Sequence, residues 1–94
     1  GGITSARRTA ELAAANGLRC IPHVFGTPIA LAASLQVLST LPGEPMLEFD
    51  RTPNPIRERL VEDPIRNDGN SVPIPDGLGL GIDVDPNAVA EFRV

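Results

Sequence analysis

One order of elements, a helix followed by a short strand, occurs twice in the sequence and limits the possible folds more than any other feature. The first helix is predicted over Thr4–Gly17, and Leu18–Pro22 follows it as a strand that a proline ends. The second helix is predicted over Gly26–Gly43, and Pro45–Phe49 follows as another strand. This α–β–α–β alternation is typical of a parallel α/β sheet or barrel.

The two helices carry different signals. In the first, Thr4 or Ser5 can cap the opening amides, and one face consists of alanines, namely Ala6, Ala10, Ala13 and Ala14. In the second, Thr27 is the predicted N-cap and Pro28 occupies the first helical position, where its missing amide costs nothing. The second helix is apolar on nearly all sides, so we expect it to be buried on two of them.

After Asp50 the sequence becomes polar and rich in proline, which sets residues 61–94 apart from residues 1–60. The glycines of "DGLGLG" do not open a helix and lack the GxGxxG spacing, so they indicate a turn and no phosphate loop. The other predicted elements are a helical turn over Ile56–Glu62, strands over Val72–Pro75 and Leu80–Val84, and a last helical turn that Asp85 caps and Pro86 opens. This tail does not continue the α/β alternation.

The hydrophobic core available to the chain is thin. The 94 residues are 41% hydrophobic, but they include three phenylalanines and no tryptophan or tyrosine. Alanine, valine, leucine and isoleucine must therefore build the core, and small side chains bury little area each. An isolated fold of this size is marginal. We expect the chain to be part of a larger protein.

Charge and cysteine content exclude several function classes. The net charge is −4, with eight arginines, no lysine and no basic run, which argues against nucleic-acid binding. The single cysteine, Cys20, cannot form an internal disulfide and fits a reducing compartment. The longest apolar stretch, Ile29–Leu35, is too short to span a bilayer, and the opening residues do not resemble a signal peptide. We therefore expect a cytoplasmic protein with no membrane partner.

Two polar side chains stand at the ends of the predicted strands. His23 directly follows the first strand and Glu48 closes the second, and in a parallel α/β barrel such positions face the active-site mouth. A single histidine beside an apolar strand is also common as a hydrogen-bonded structural residue, and a lone glutamate as a solvated acid. Arg51 and Arg57 could bind an anion or form surface salt bridges. The acids occur singly and there is no second histidine, so this chain has no predicted metal site.

Four ordered motifs carry a resemblance that covers the whole chain. They are "GGIT", "PH" with the following "FGTPIALAA", "LEFD", and "PDGLGLGI". With these motifs the sequence resembles the C-terminal part of the mandelate racemase and muconate-lactonizing branch of the enolase superfamily. Within that branch, "EFDRTPNP" is most similar to the cycloisomerases that act on galactarolactone and 3,6-anhydrogalactonate.

The resemblance implies a modified (β/α)7β TIM barrel with an α+β capping domain. Residues 1–60 would hold the last helices of the barrel, its seventh strand at Leu18–Pro22 and its eighth at Pro45–Glu48, while residues 61–94 would return to the cap. A closed barrel needs about 250 residues. The strand-two lysine, the three acidic Mg²⁺ ligands and the aspartate that pairs with the histidine would all lie outside this chain. We therefore expect a segment of a longer protein, inactive alone.

The activity that the resemblance implies is Mg²⁺-assisted removal of the proton α to the carboxylate of a sugar acid or sugar lactone. His23 would be the general base, and Glu48 would face a substrate carboxylate oxygen as a protonated donor. Val24 and Phe25 would shape the substrate pocket. Imidazole suits a base because its ordinary pKa, about 6.5, leaves most of it neutral at pH 7.

Three outcomes of proton removal remain open from the sequence: β-elimination that opens a lactone ring, dehydration of an acid sugar, and racemisation. The full-length protein is expected to be a homo-oligomer with a small carboxylate substrate. The alternative of another class is a small non-catalytic α/β module in which His23 is structural.

Overall fold

The computed structural model describes all 94 residues and gives the order helix, strand, helix, strand, followed by two short helices. The elements are α1 Gly2–Ala15, β1 His23–Val24, α2 Pro28–Leu38, β2 Glu48–Phe49, α3 Pro55–Arg59 and α4 Pro86–Glu91. The strands pair in parallel as a two-stranded sheet. The predicted α/β class and α–β–α–β order are confirmed.

Both strands are shorter than predicted; β1 lies after the predicted range, whereas β2 is the last two residues of the predicted Pro45–Phe49. The prediction that Leu18–Pro22 forms the first strand was wrong, since the paired residues are His23 and Val24. In this register Pro22 lies one step before the paired residues on β1, and Pro45 lies three before them on β2. Proline has no amide hydrogen, so neither residue can donate to a ladder hydrogen bond. Pairing is therefore confined to two residues in each strand, which come after these prolines in the sequence.

Helix α2 is the centre of the core and begins as predicted. The Thr27 Oγ1 accepts a hydrogen bond from the Ala30 amide at 3.4 Å, and Pro28 is the first helical residue. The helix contacts α1, β1 and α3. Its buried residues are Pro28, Leu31, Ala32, Leu35, Val37 and Leu38. Because these residues occupy more than one stripe of the helix, the prediction of burial on two sides is confirmed.

Helix α1 begins earlier than predicted and is covered less. Its N-cap is Gly1 with no side-chain cap, so the predicted caps, Thr4 and Ser5, lie inside the helix. Of the predicted alanine face, only Ala10 is buried, because α2 is the one element that α1 packs against extensively. The end is as predicted: Gly17 follows the helix with φ +69°.

The tail beyond α3 contributes no strand to the sheet. The predicted strands over Val72–Pro75 and Leu80–Val84 were wrong, and the tail's β-pairing is a single antiparallel bridge between Val61 and Val84. Prolines at positions 73 and 75 remove two of the amides that a first strand would need. The predicted last helix is confirmed, since Asp85 Oδ1 accepts a hydrogen bond from the Asn87 amide at the start of α4.

Side-chain contacts fasten the tail to the first half of the chain. The Gln36 amide of α2 donates to the carbonyl oxygens of Pro75 at 2.8 Å and Leu80 at 3.3 Å. Arg59 of α3 donates to Glu91 of α4 at 2.8 Å, and this hydrogen bond raises the pKa of the Arg59 guanidinium above its ordinary value. The tail is therefore fastened to α2 and α3.

Candidate functional site

The parallel sheet places His23 and Glu48 side by side. They are direct partners in the β1–β2 register, and the Nδ1 atom of His23 lies 2.9 Å from Oε2 of Glu48. The side chains remain 66% and 55% exposed, so the pair faces open space. Parallel strands end at the same edge of a sheet, which is why two residues 25 positions apart in the sequence meet here. The expected placement of both side chains at one rim is observed.

An aromatic ring completes this group. Side chains two residues apart point to the same face of a strand, so Phe25 shares its face with His23. The two ring centroids are 4.7 Å apart and the rings are tilted by 34°. Val24, the residue between them, is half-buried on the opposite face. The structure thus brings together three of the four predicted site residues and places Val24 behind the site.

The face that carries these side chains is not covered by the rest of the chain. From Arg19 to Phe25 the residues alternate between exposed and half-buried, and Met46–Phe49 repeat this alternation. Ile21 and Met46 are exposed on the same face as His23 and Glu48. Contiguous exposed apolar side chains beside polar ones mark a surface that normally meets another part of a protein or a ligand.

The geometry of the pair defines what it can do with a proton. When Nδ1 carries the ring hydrogen it can donate to the Glu48 carboxylate, which fixes the tautomer and the orientation of the ring. The other ring nitrogen, Nε2, then presents a lone pair that can accept a proton from a bound molecule. The arrangement is therefore chemically suited to general base catalysis.

The loop that leaves β2 is held by a largely buried ion pair. The Asp50 Oδ2 lies 2.7 Å from an Arg57 guanidinium nitrogen, with 7% and 13% of the respective side chains exposed. The Thr52 amide donates to Asp50 Oδ1 at 2.8 Å. This amide, with the Thr52 side chain and the Arg57 guanidinium, lowers the pKa of the Asp50 carboxyl below its ordinary 3.8. Of the two outcomes left open for Arg57, the structure shows the ion pair.

Two residues of this loop were missed by the sequence analysis. Asp50 served only to mark where the composition changes, and Asn54 was not considered. The available signals were the spacing in "DRT", where an aspartate can accept from the amide two residues on, and Asn54 directly before Pro55, which is typical of an N-cap. Arg51 makes no ion pair and is exposed beside the strand end.

No three histidine, cysteine, aspartate or glutamate side chains lie close enough together to hold a metal ion. Cys20 is half-buried and has a free thiol, and it lines a cavity of about 550 Å³ between α1 and α2. None of the helices is long and apolar enough to cross a bilayer.

Comparison with known proteins identifies the family. The model of the enolase C-terminal domain-like family matches residues 1–88. The chain belongs to this family. The resemblance that the four sequence motifs carry is thereby confirmed.

The relatives of this chain have names that describe different reactions. It is 40% identical to the D-galactarolactone cycloisomerase of Agrobacterium fabrum over an alignment that covers all of this chain and 27% of that protein. It is 30% identical to the D-gluconate dehydratase of Thermoproteus tenax, with 99% of this chain and 19% of the relative covered. The chain therefore spans about a quarter or less of the length of these relatives.

A solved structure shows the same fold. The crystal structure of the 3,6-anhydro-D-galactonate cycloisomerase from Zobellia galactanivorans superimposes with a TM-score of 0.84 and 32% identity, over 98% of this chain and 26% of that one. The fold of this chain therefore matches about a quarter of that solved structure.

Proposed function

We propose that the chain is a segment of an enolase-superfamily enzyme that removes the proton α to the carboxylate of a sugar acid or sugar lactone. The observation that carries the proposal is the His23–Glu48 pair, with 2.9 Å between Nδ1 and Oε2, at one edge of a parallel sheet. The names of the relatives, two cycloisomerases and a dehydratase, describe reactions of small sugar-derived molecules. Such a pair can move a proton on a ligand of that kind.

In the complete enzyme, residues 1–60 would form the end of a (β/α)7β barrel, with β1 as its seventh strand and β2 as its eighth. The uncovered face of β1 and β2 supports this proposal, because a barrel interior would cover it. Residues 61–94 would join a capping domain, which agrees with a tail that packs on α2 and α3 and adds no strand to the sheet. The site would then lie at the mouth of the barrel.

His23 would be the general base. With Nδ1 bonded to Glu48, Nε2 accepts the α-proton, and the electron pair of the broken C–H bond moves into the substrate as an enediolate. Phe25, at 4.7 Å from the imidazole, would form an apolar wall beside it. Val24 would contribute to the pocket only from behind, by packing under His23. Glu48 would orient the ring, a role that the resemblance gives to an aspartate outside this chain, and, when protonated, would donate to a substrate carboxylate oxygen.

The family also implies Mg²⁺, and its fit to this chain can be judged from the donor set. No cluster of carboxylates or other ligands exists among the 94 residues, and Glu48 is engaged with His23. The residues present therefore do not form the metal site. Any Mg²⁺ would be held by the remainder of the protein, where it would stabilise negative charge on the substrate carboxylate.

The favoured reaction is ring opening by β-elimination. After His23 takes the α-proton, a double bond forms between the α and β carbons and the bond from the β carbon to the ring oxygen breaks. The 40% identity to a galactarolactone cycloisomerase favours this outcome. Dehydration, in which a β-hydroxyl leaves, is the second candidate because a D-gluconate dehydratase is also a relative. Racemisation is the third.

The partners proposed for the complete protein are a small carboxylate substrate and further copies of itself, and the proposed location is the cytoplasm. The competing proposal of another class is a non-catalytic α/β module in which the exposed His23–Glu48 pair is only structural.

Product analysis tests the proposal. The full-length protein would be incubated with D-galactarolactone and, separately, with D-gluconate, in D₂O with Mg²⁺, and the products followed by NMR. A ring-opened keto acid from the lactone supports the cycloisomerase, and a keto acid from D-gluconate supports the dehydratase. If neither compound is consumed or exchanges its α-hydrogen, the proposed substrate class is wrong.

A further inference from the structure

The exit loop of β2 (residues 50–57) has a feature that the proposed chemistry does not use. The Asn54 Nδ2 group donates to the carbonyl oxygen of Gly26 at 3.3 Å, across 28 positions of sequence. Gly26 comes directly after Phe25, in the loop that leaves β1. One side chain therefore joins the two loops that carry the His23 and Glu48 strand ends.

Asn54 is itself held firmly. Its Oδ1 caps α3 by accepting from the amides of Ile56 at 3.1 Å and Arg57 at 3.2 Å. Its own amide donates to the Glu58 side chain at 3.3 Å. The buried Asp50–Arg57 ion pair closes the loop behind it. The two hydrogen bonds to Oδ1 fix the orientation of the Asn54 side-chain amide. In this orientation Nδ2 is directed toward the carbonyl oxygen of Gly26.

The strand pairing alone constrains the site weakly. Only His23–Glu48 and Val24–Phe49 are paired. A slip of one residue would turn one side chain of the pair to the other face. The Asn54–Gly26 hydrogen bond is a second attachment, three residues beyond His23. It resists a shift of register and also separation of the two strand ends.

We propose that Asn54 is a positioning residue that holds His23 and Glu48 in register through its hydrogen bond to Gly26, with the Asp50–Arg57 ion pair fixing the loop that carries it. This inference rests on the proposed function for its catalytic readout. The Asn54 side chain is half-buried, and its hydrogen bonds are all to the loop that leaves β1 and to α3.

Two variants of the full-length protein separate the tether from the helix cap. Asn54→Asp keeps an oxygen that caps α3 but loses the donor to Gly26, whereas Asn54→Ala loses both. Asp85→Asn is the matched control, since Asp85 caps the similar short helix α4 and its side chain accepts only from the Asn87 amide, away from both strand-end loops. We expect both Asn54 variants to lower kcat on D-galactarolactone by about 10- to 100-fold with KM nearly unchanged, because misplacement of a base by about 1 Å has this effect. Asp85→Asn should keep wild-type kcat.

A loss of stability alone would not produce this split between kcat and KM, and urea unfolding of all three variants would show how far each is destabilised. If His23→Asn is inactive while both Asn54 variants keep wild-type kcat, the positioning role is wrong and the proposed function stands. If His23→Asn remains fully active, the proposed function itself is wrong.

A structural measurement tests the inference independently of enzyme activity. In a crystal structure of the Asn54→Ala protein we expect the His23 Nδ1 and Glu48 Oε2 atoms to lie beyond hydrogen-bond distance. An unchanged separation of 2.9 Å would overturn the inference.

Discussion

His23 and Glu48 are joined by a hydrogen bond between Nδ1 and Oε2 although 25 positions separate them in the sequence. The bond orients the imidazole and leaves Nε2 directed away from Glu48. Each side chain is more than half exposed in this segment. The predictions below concern the full-length protein that contains this segment.

Replacing His23 by asparagine should nearly abolish turnover while leaving folding and Mg²⁺ affinity intact. Loss of a general base typically costs 10²–10⁴-fold, which is about the range we expect here. The measurement is kcat on D-galactarolactone together with exchange of the substrate α-hydrogen in D₂O. Exchange should be lost for the stereoisomer whose α-hydrogen faces His23. Wild-type exchange with both stereoisomers would show that His23 is structural.

Glu48→Gln should be milder than Glu48→Leu. The glutamine oxygen can still accept from Nδ1 of His23, and its amide can still donate to a carboxylate oxygen. Leucine has neither group, and removal of one donor to a developing charge costs about 10²-fold or more. Steady-state kcat of the two variants checks this order. Equal activities would mean that the polar end of Glu48 has no part in the reaction.

Asp50→Asn should lower stability in a pH-dependent way. The folded-state pKa of Asp50 is depressed below 3.8, chiefly by the Thr52 amide, so its stabilisation is complete above the unfolded value and is lost as pH falls through the folded one. Urea midpoints should therefore differ between wild type and variant at pH 5–7 and begin to converge as the pH falls below about 4. Glu91→Gln, which disrupts the exposed Arg59–Glu91 pair, is the control and should shift the midpoint less. A constant difference down to pH 3 would contradict the assignment.

Gly81→Ala should destabilise the protein more than Gly79→Ala. Both glycines have positive φ, +76° and +65°, which costs alanine about 1–2 kcal/mol. At Gly81 the added methyl would also lie 2.6 Å from Cβ and 2.8 Å from the carbonyl carbon of Pro75, whereas nothing lies within 4 Å at Gly79. This clash should add about 1–3 kcal/mol. Urea unfolding measures both, and equal losses would show that the Pro75 contact is easily relieved.

The starts of α2 and α4 could be predicted from sequence because their signals are local. Thr27–Pro28 and Asp85–Pro86 each place a capping oxygen next to a proline that is already fixed for the first helical turn. The first strand was predicted in the wrong residues and the second was predicted too long, because a strand is defined by its partner and prolines before both strands limit where pairing can begin.

The candidate site also has a part that could be predicted from sequence and a part that could not. Its two strand-end residues could be predicted because parallel strands end at one edge, so the order of elements alone brings His23 and Glu48 together. The Asn54–Gly26 bond could not, since it depends on how two irregular loops approach each other. Val24 was grouped with its neighbours by position in the sequence, and the alternation of a strand places it on the other face.

The two-stranded sheet also has a consequence for handling the protein. Each strand has one edge whose backbone amides and carbonyls have no strand partner within this chain. Open edges of this kind pair readily with strands of other molecules, and exposed Ile21, Phe25 and Met46 would strengthen such contacts. A peptide of these 94 residues, prepared alone, is therefore expected to self-associate and precipitate as its concentration rises.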